Sequence, residues 1–349
     1  MPTVGVDVPV TAVFLVLFLL GAVVNMTIFQ VNRRRGHKFL MSGMMFGFCM
    51  ARITTCVLRI VWAKYPRNIR LAIAAQIFVA LGVILLFVIN LIFAQRITRA
   101  SHPNSGWHPI FSRSFFVIYV LIVVSVPMLV TATVQSSYTL NLNIKRIDRD
   151  IQLYGQTLFA IVAFLPIPLV IVNFLIPRKT RVEKFGSGRW RSKITVLLAA
   201  SVLLCLGASF RVGTNYKTPR PLNDPAPYHN KACFYIFNVA VEILVVILYI
   251  AVRVDKRFHV PNGSKGPGDY SGRSKQANED KQEGMIARRI NTEDEAFGDT
   301  PEGSSEDSSQ TLRDEEKGVQ PADKRTDMPE AERRTVPGAE EAVANGRAV

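Results

Sequence analysis

Residues Leu71 to Ala94 read LAIAAQIFVALGVILLFVINLIFA, a run of 24 residues without a charged side chain. An α-helix rises about 1.5 Å per residue, so about 20 apolar residues cross the hydrocarbon core of a bilayer. Backbone groups in lipid have to be hydrogen-bonded within the protein, which a single helix achieves and a single strand does not. The stretch therefore predicts a transmembrane helix, and it sets the class of the protein.

Six further apolar runs lie on either side of this stretch. In chain order, the seven runs are Val8–Ile28, Phe39–Trp62, Leu71–Ala94, Phe115–Val134, Gln156–Ile176, Ile194–Phe210 and Phe234–Val252. None alternates polar and apolar residues with a period of two, as the strands of a membrane barrel do. We therefore expect an all-α polytopic membrane protein, in which residues 1–260 form a seven-transmembrane helix bundle.

Composition and charge both change near residue 260. Before position 261, 29 basic and seven acidic residues give a net charge of +22, whereas the remainder has 13 basic and 20 acidic residues, a net charge of −7. Residues 261–349 contain one phenylalanine, Phe297, and no tryptophan. So little apolar surface does not offset the entropy lost on ordering a chain. We expect these residues to form a disordered cytoplasmic tail.

The basic residues between the runs predict the orientation, because loops rich in lysine and arginine stay in the cytosol. The loops after the first, third and fifth runs, with the start of the tail, hold 17 such residues, and the other loops hold ten. With seven spans, the N-terminus is expected outside and the C-terminus in the cytoplasm, in the plasma membrane or an endomembrane. Basic residues that flank membrane spans indicate membrane lipids, and not nucleic acid, as the partner.

The sequence carries no pattern that indicates catalysis, a metal or a cofactor. Walker, GxSxG and HExxH motifs are all missing from it. The four cysteines have neither the spacing of a zinc site nor a disulfide framework: Cys49, Cys56, Cys205 and Cys233. We expect a protein that is not an enzyme, with no catalytic residue, cofactor or metal.

Polar side chains inside the runs are the candidates for function, because burying them in lipid is costly. Arg52 lies near the middle of the second run, and Glu242, the only acid within any run, lies near the middle of the seventh. We expect the two to form a buried ion pair or to share a hydrogen-bonded network. Such a contact serves either as a structural pin between helices or as a switch within a ligand site.

Two more arginines and four amides belong to the same group of buried polar residues. Arg59 and Arg211 lie near the outer ends of the second and sixth runs, where they either reach to the interface or form a cationic rim for an acidic or lipid ligand. Arg211 is also a second candidate partner for Glu242. The amides, which commonly hydrogen-bond between helices, are Gln76, Asn90, Asn173 and Asn238. The predicted intramembrane polar network comprises Arg52, Glu242, Arg211, Arg59, Asn238 and Asn90.

The segment NLNIKRIDRDIQLYG, Asn141 to Gly155, has two interpretations. It places Ile144, Ile147 and Ile151 at helical spacing, with charged residues between them. This pattern is typical of an amphipathic helix that lies on a membrane surface. It also fits an extension of the fifth span.

Three stretches carry a resemblance to a known family: Leu58–Arg96, Phe210–Val239 and Arg253–Ser271. Together with the seven spans, they resemble a family of uncharacterised fungal seven-transmembrane proteins that is often labelled family-C-like G-protein-coupled receptor. The resemblance covers residues 8–271. It implies a receptor-like membrane protein with an unknown small-molecule or lipid ligand, and with a heterotrimeric G protein or another cytosolic partner.

A second resemblance implies a different function. FRVGTNY (Phe210–Tyr216), followed by FYIFNVAVEI (Phe234–Ile243), is similar to fungal lipid-translocating exporters, which also have seven spans. Their motif in the sixth span usually places an acid after the arginine, where this chain has Val212-Gly213-Thr214. This resemblance implies a lipid or small-molecule transporter, as the alternative to a receptor.

Overall fold

The computed structural model describes residues 3–36, 39–177, 182–217, 230–264, 266–271, 282–283 and 285, and within these ranges it contains helices and no strand. Seven of the described helices are long and apolar enough to cross a membrane. They are α1 Asp7–Arg34, α2 Leu40–Lys64, α3 Ile69–Ser101, α4 Pro109–Tyr138, α5 Leu142–Leu175, α6 Trp190–Tyr216 and α7 Lys231–Ala251. The predicted fold class is confirmed: the chain is an all-α, multi-pass integral membrane protein.

Each predicted run coincides with one helix, but most helices extend beyond the run. The largest difference is in α5, which begins at Leu142 and not at Gln156. Asn141 caps it, because its side chain accepts a hydrogen bond from the backbone N–H of Asn143. The segment from Asn141 to Gly155 is therefore the extension of the fifth span and not a separate surface helix.

The helices pack as a ring in chain order, and α1 closes the ring against α7. Helix α3 also contacts α5 and α6, and it buries a larger share of its apolar window than the other six spans do. Because consecutive spans run in opposite directions, the bundle has two ends. We call them the N-terminal end, where α1 begins, and the C-terminal end, where α7 finishes.

Three of the spans are locally irregular. Helix α3 is interrupted at Val83 and α5 at Leu165, while residues Ile236–Ala240 of α7 form a π turn. The α5 interruption follows from Pro166, which has no backbone N–H and cannot continue the hydrogen-bond ladder of the preceding turn. The irregularities in α3 and α7 lie beside the polar residues of the candidate site.

Aromatic side chains close the C-terminal end. Phe258, which is fully buried, stacks on Phe93 of α3 with their ring centroids 4.3 Å apart. Tyr270 lies against Trp107 and Phe185, at centroid distances of 5.5 and 5.6 Å. Residues on both sides of the predicted tail boundary therefore belong to one packed cluster.

The predicted start of the tail at Pro261 is too early. Residues 261–264 and 266–271 are part of the folded structure, since Tyr270 is buried and the backbone N–H of Gly268 donates to Glu183 at 2.6 Å. The sequence offers little apolar surface here, but a single side chain, Tyr270, packs against Trp107 and Phe185 and holds the segment against the bundle. Beyond residue 271, the predicted disordered tail lies outside the described residues, apart from 282–283 and 285.

A buried carboxylate ties this end to α1. Asp255, in the short helix Val254–Arg257 after α7, accepts hydrogen bonds from Arg253 and from Asn32 of α1. Burial by itself would raise the pKa of the Asp255 carboxyl, but these hydrogen bonds outweigh it and hold the pKa below its usual range. The contact is therefore ionic at neutral pH.

Candidate functional site

A cavity of about 610 Å³ lies at the N-terminal end, between α2, α3, α4, α5, α6 and α7. Its volume is within the range of about 300–1,000 Å³ that is typical of small-molecule sites. Its walls combine apolar, amide and charged side chains. The charged ones are Asp7, Arg59, Arg211 and Lys231.

Glu242 is the centre of an ionic cluster next to the cavity. It follows Asn238, which lines the cavity, by one turn of α7. Nε of Arg52 lies 2.5 Å from Oε2 of Glu242, and Nη2 of Arg52 donates to Oε1 at 2.6 Å. Nη2 of Arg211 lies 2.5 Å from the same Oε1. Glu242 and Arg52 are 1% and 2% exposed. The expected contact between Arg52 and Glu242 is present, and Arg211 is a further partner and not an alternative one.

Arg52 also explains the interruption of α3. The N–H of Val83 bonds to the carbonyl of Leu81, so the carbonyl of Val79 is left to accept from Nη1 of Arg52 at 3.2 Å. Gly82 leaves room for the guanidinium, since a β-carbon there would lie 3.4 Å from Cζ of Arg52. A side chain that inserts into the hydrogen-bond ladder is a recognised cause of helix irregularity.

Asn238 connects the ionic cluster to the cavity. Its Oδ1 accepts from Nε of Arg211 at 2.6 Å, and its Nδ2 donates to the carbonyl of Phe234 at 3.1 Å. Asn238 lies in the π turn of α7, and π turns often occur at functional sites. Arg211 and Asn238 line the cavity and also belong to the Glu242 cluster.

A second cluster surrounds Asp7, in the first turn of α1. Nζ of Lys231 lies 2.7 Å from Oδ2 of Asp7, and the hydroxyl of Tyr235 donates to Oδ1 at 2.9 Å. Nη2 of Arg59 lies 3.8 Å from the same carboxylate, and its guanidinium stacks 4.0 Å from the ring centroid of Phe234. The prediction that Arg59 belongs to the Glu242 network is wrong: Arg59 pairs with Asp7 because both lie nearer the N-terminal end than Glu242 does.

Asn90 belongs to a third group and not to the Glu242 network, so that part of the prediction is also wrong. Its Nδ2 donates to Ser201 of α6 at 3.3 Å, and its Oδ1 accepts from the hydroxyl of Tyr249 of α7. The group lies nearer the C-terminal end than Glu242 does. Asn173 belongs to none of these three groups, and its Nδ2 donates to the hydroxyl of Thr98 at 2.8 Å.

Asp7, Lys231 and Tyr235 are site residues that the sequence reasoning missed. A signal for two of them was present. Asp7 begins the first span and Lys231 begins the seventh, so both lie at the same end of the bundle by the argument that paired Arg52 with Glu242. No comparable signal identifies Tyr235 among the aromatic residues of α7.

Comparison with known proteins gives one match. A family described as a protein of unknown function, DUF3112, matches residues 186–259. This stretch contains α6 and α7 and thus Arg211, Asn238 and Glu242. No curated protein and no solved structure matches the chain. The resemblances to fungal receptor-like proteins and to lipid exporters stay predictions.

Proposed function

We propose that the protein is a receptor-like membrane protein, in which a ligand in the cavity alters the packing of α2, α6 and α7 through Glu242. The observation that carries this proposal is that Arg211 and Asn238 belong both to the cavity wall and to the buried cluster. A ligand that contacts Arg211 competes with the bond from Arg211 to Glu242. The helices can be arranged with or without this bond, and the ligand binds the two arrangements with different free energies. That difference is the requirement for a ligand-driven switch.

The C-terminal end has the character of a cytosolic surface. Among the described residues, nine basic side chains are exposed there against seven at the N-terminal end, and the carboxylates of Asp255 and Glu183 are buried. The nine are Arg33, Arg34, Arg35, Arg113, Lys184, Arg189, Arg191, Arg253 and Lys256. This supports a cytoplasmic C-terminus, an outward-facing cavity, and contact with anionic lipids and a cytosolic partner such as a heterotrimeric G protein. Binding and conformational change, with no catalysis, make up the proposed activity.

A transporter of lipids or small molecules is the second candidate. The cavity ends near the ionic cluster in the interior of the spans, and transporters place their sites near the bilayer midplane. Transport also needs an exit toward the C-terminal end. The aromatic cluster of Phe93 and Phe258 fills that path, so passage would require these rings to separate.

Spin labels at the C-terminal end test the receptor proposal without a ligand. The distance between labels at Arg113→Cys on α4 and Arg191→Cys on α6 reports the position of α6. Cys205 and Cys233 are replaced by serine so that they are not labelled. Arg211→Gln removes the bond that a ligand would compete for, so we expect the distance distribution to shift by about 1–2 Å or more. Arg70→Gln, an exposed arginine outside the cavity, should leave it unchanged.

Identical distributions in the parent, Arg211→Gln and Arg70→Gln proteins would contradict the receptor proposal. Vesicles containing the purified protein supply the second measurement. Protein-dependent movement of a fluorescent phospholipid across the bilayer that is lost in Arg211→Gln would favour the transporter.

A further inference from the structure

We propose that the cavity binds a single-chain amphiphile with an anionic head, either a phosphate or a carboxylate. The head lies among Arg59, Arg211 and Lys231, and the chain lies along the apolar wall formed by α3, α4 and α5. The inference rests on the proposed function in using the same cavity. It concerns binding alone, so it holds for a receptor and for a transporter.

The charged groups of the two clusters at this end of the bundle have a net positive charge. Each cluster contains one carboxylate and two cations: Glu242 has two arginines, and Asp7 has Arg59 and Lys231. Buried Asp148, one turn before Gln152 on α5, is a third carboxylate and does not line the cavity. Four cations against three carboxylates still leave a positive excess, and low dielectric surroundings strengthen its attraction for an anion.

Two hydrogen-bond donors of the cavity wall also lack acceptors. Nε of Arg59 and Nε1 of Trp62 are buried and donate to no partner among the described residues. A buried donor without an acceptor costs about 1–3 kcal/mol, and more when it is charged. Both groups lie on the last turns of α2, beside the Asp7 cluster. Both donors are closed off from the cavity itself, so an oxygen-rich head would satisfy them only after these side chains rotate toward it, and a cation or a hydrocarbon would not satisfy them at all.

The opposite side of the cavity is apolar in its deeper part, whereas nearer the N-terminal end it is lined by Gln76, Thr133, Gln152 and Gln156. Val83 and Phe87 of α3, Leu129 of α4 and Phe159 of α5 line the deeper part, and each is at most 6% exposed. The cations come from α2, α6 and α7. The ring of helices therefore divides the cavity into a basic half and an apolar half. A free phosphate ion would fill the first and leave the second empty, so the division indicates an amphiphile.

Equilibrium binding to the full-length protein in nanodiscs of zwitterionic lipid tests the inference. Radiolabelled dodecyl phosphate and dodecanoate are the probes, with empty nanodiscs subtracted. Dodecyltrimethylammonium supplies the opposite charge on the same chain, and inorganic phosphate supplies the head without a chain. We expect saturable binding of either anionic amphiphile, no saturable binding of the cation, and inorganic phosphate that competes only at far higher concentration.

Three variants locate the site. Arg59→Gln and Lys231→Gln should each weaken binding roughly tenfold or more, because each removes a charged donor to the head. Ala160→Phe, which fills the apolar half and keeps every charge, should weaken it comparably. Arg70→Gln is the matched control for charge and should bind as the parent does. Melting temperatures establish that each variant is folded.

Three results would overturn the inference. They are equal binding of the cationic amphiphile, equal competition by inorganic phosphate, and parental affinity in folded Arg59→Gln, Lys231→Gln and Ala160→Phe. Binding without any response of the α4–α6 spin labels would instead contradict the receptor proposal alone, so the two failures are distinguishable.

Discussion

Glu242 is a carboxylate in the interior of a membrane protein, and its stability depends on two arginines. A buried ion loses its hydration, and only close partners with good geometry offset that loss. Arg52 provides a two-point ionic contact, and Arg211 adds a hydrogen bond from α6 to Oε1 of Glu242. The cluster as a whole keeps one positive charge. Removing the carboxylate therefore harms it more than removing one arginine.

Glu242→Gln and Arg211→Gln test this order of importance. Glu242→Gln leaves the buried guanidinium of Arg52 and the partly buried one of Arg211 without an anion, and we expect it to lower the free energy of unfolding by about 3–5 kcal/mol. Arg211→Gln leaves the pair of Arg52 and Glu242 intact, so its effect should be clearly smaller. Thermal unfolding in detergent measures both, with exposed Arg67→Gln as control. A loss in Arg211→Gln as large as that in Glu242→Gln would refute the order.

At this scale the depth of a polar residue in the bundle decides which partners it has. The pairing of Arg52 with Glu242 follows from their similar positions along antiparallel spans. Arg59 lies nearer the N-terminal end and Asn90 nearer the C-terminal end than Glu242, so each pairs with polar groups at its own depth. Arg52, Arg211, Asn238 and Glu242 come together. The π turn that carries Asn238 changes the rotation of α7 locally, and no apolar periodicity reveals it.

Helices α6 and α7 approach closely where the π turn lies. A β-carbon on Gly207 of α6 would lie 2.7 Å from the carbonyl oxygen of Phe237, closer than real β-carbon contacts. The obstacle is backbone, which cannot rotate away as a side chain can. Gly213, on the same helix, has nothing within 4 Å of such a carbon. The two glycines form a natural pair for comparison.

We expect Gly207→Ala to force α6 and α7 apart and to lower the free energy of unfolding by about 1–3 kcal/mol, the usual cost of overpacking. Gly213→Ala should be neutral or slightly stabilising, because alanine is the better helix former. Melting temperatures of the two variants give the comparison. Equal behaviour would mean that the close contact between α6 and α7 does not exist in the folded protein.

Apolar runs predict the existence of every span, because hydrocarbon selects for uncharged residues over a fixed thickness. They do not predict where the helices end. The first turns of α5 are charged and amphipathic, and they are helical because Asn141 caps them and they pack beside α4. The break at Val83 lies within the most apolar run of the chain. It arises from Arg52 of α2, so no apolar pattern within the run predicts it.

The whole molecule has two ends of different character. The N-terminal end holds a cavity with a basic and an apolar half, and the C-terminal end holds an aromatic cluster below an exposed basic surface. Between them, the Glu242 cluster joins α2, α6 and α7. An odd number of spans is required to place the start of α1 and the finish of α7 at opposite ends of the bundle.

Stepwise cysteine labelling tests that requirement most directly. Val4→Cys marks the N-terminal end and Asn262→Cys the C-terminal end, and both positions are exposed. Cys205 and Cys233 are replaced by serine, and an impermeant maleimide is applied to intact cells, then after digitonin, then after full solubilisation. For a plasma-membrane protein, we expect Val4→Cys to react in intact cells and Asn262→Cys to react after digitonin. For an endomembrane protein, we expect Asn262→Cys to react after digitonin and Val4→Cys to react only after full solubilisation. Reaction of both positions at the same step would place the two ends on one face and contradict the seven-span arrangement.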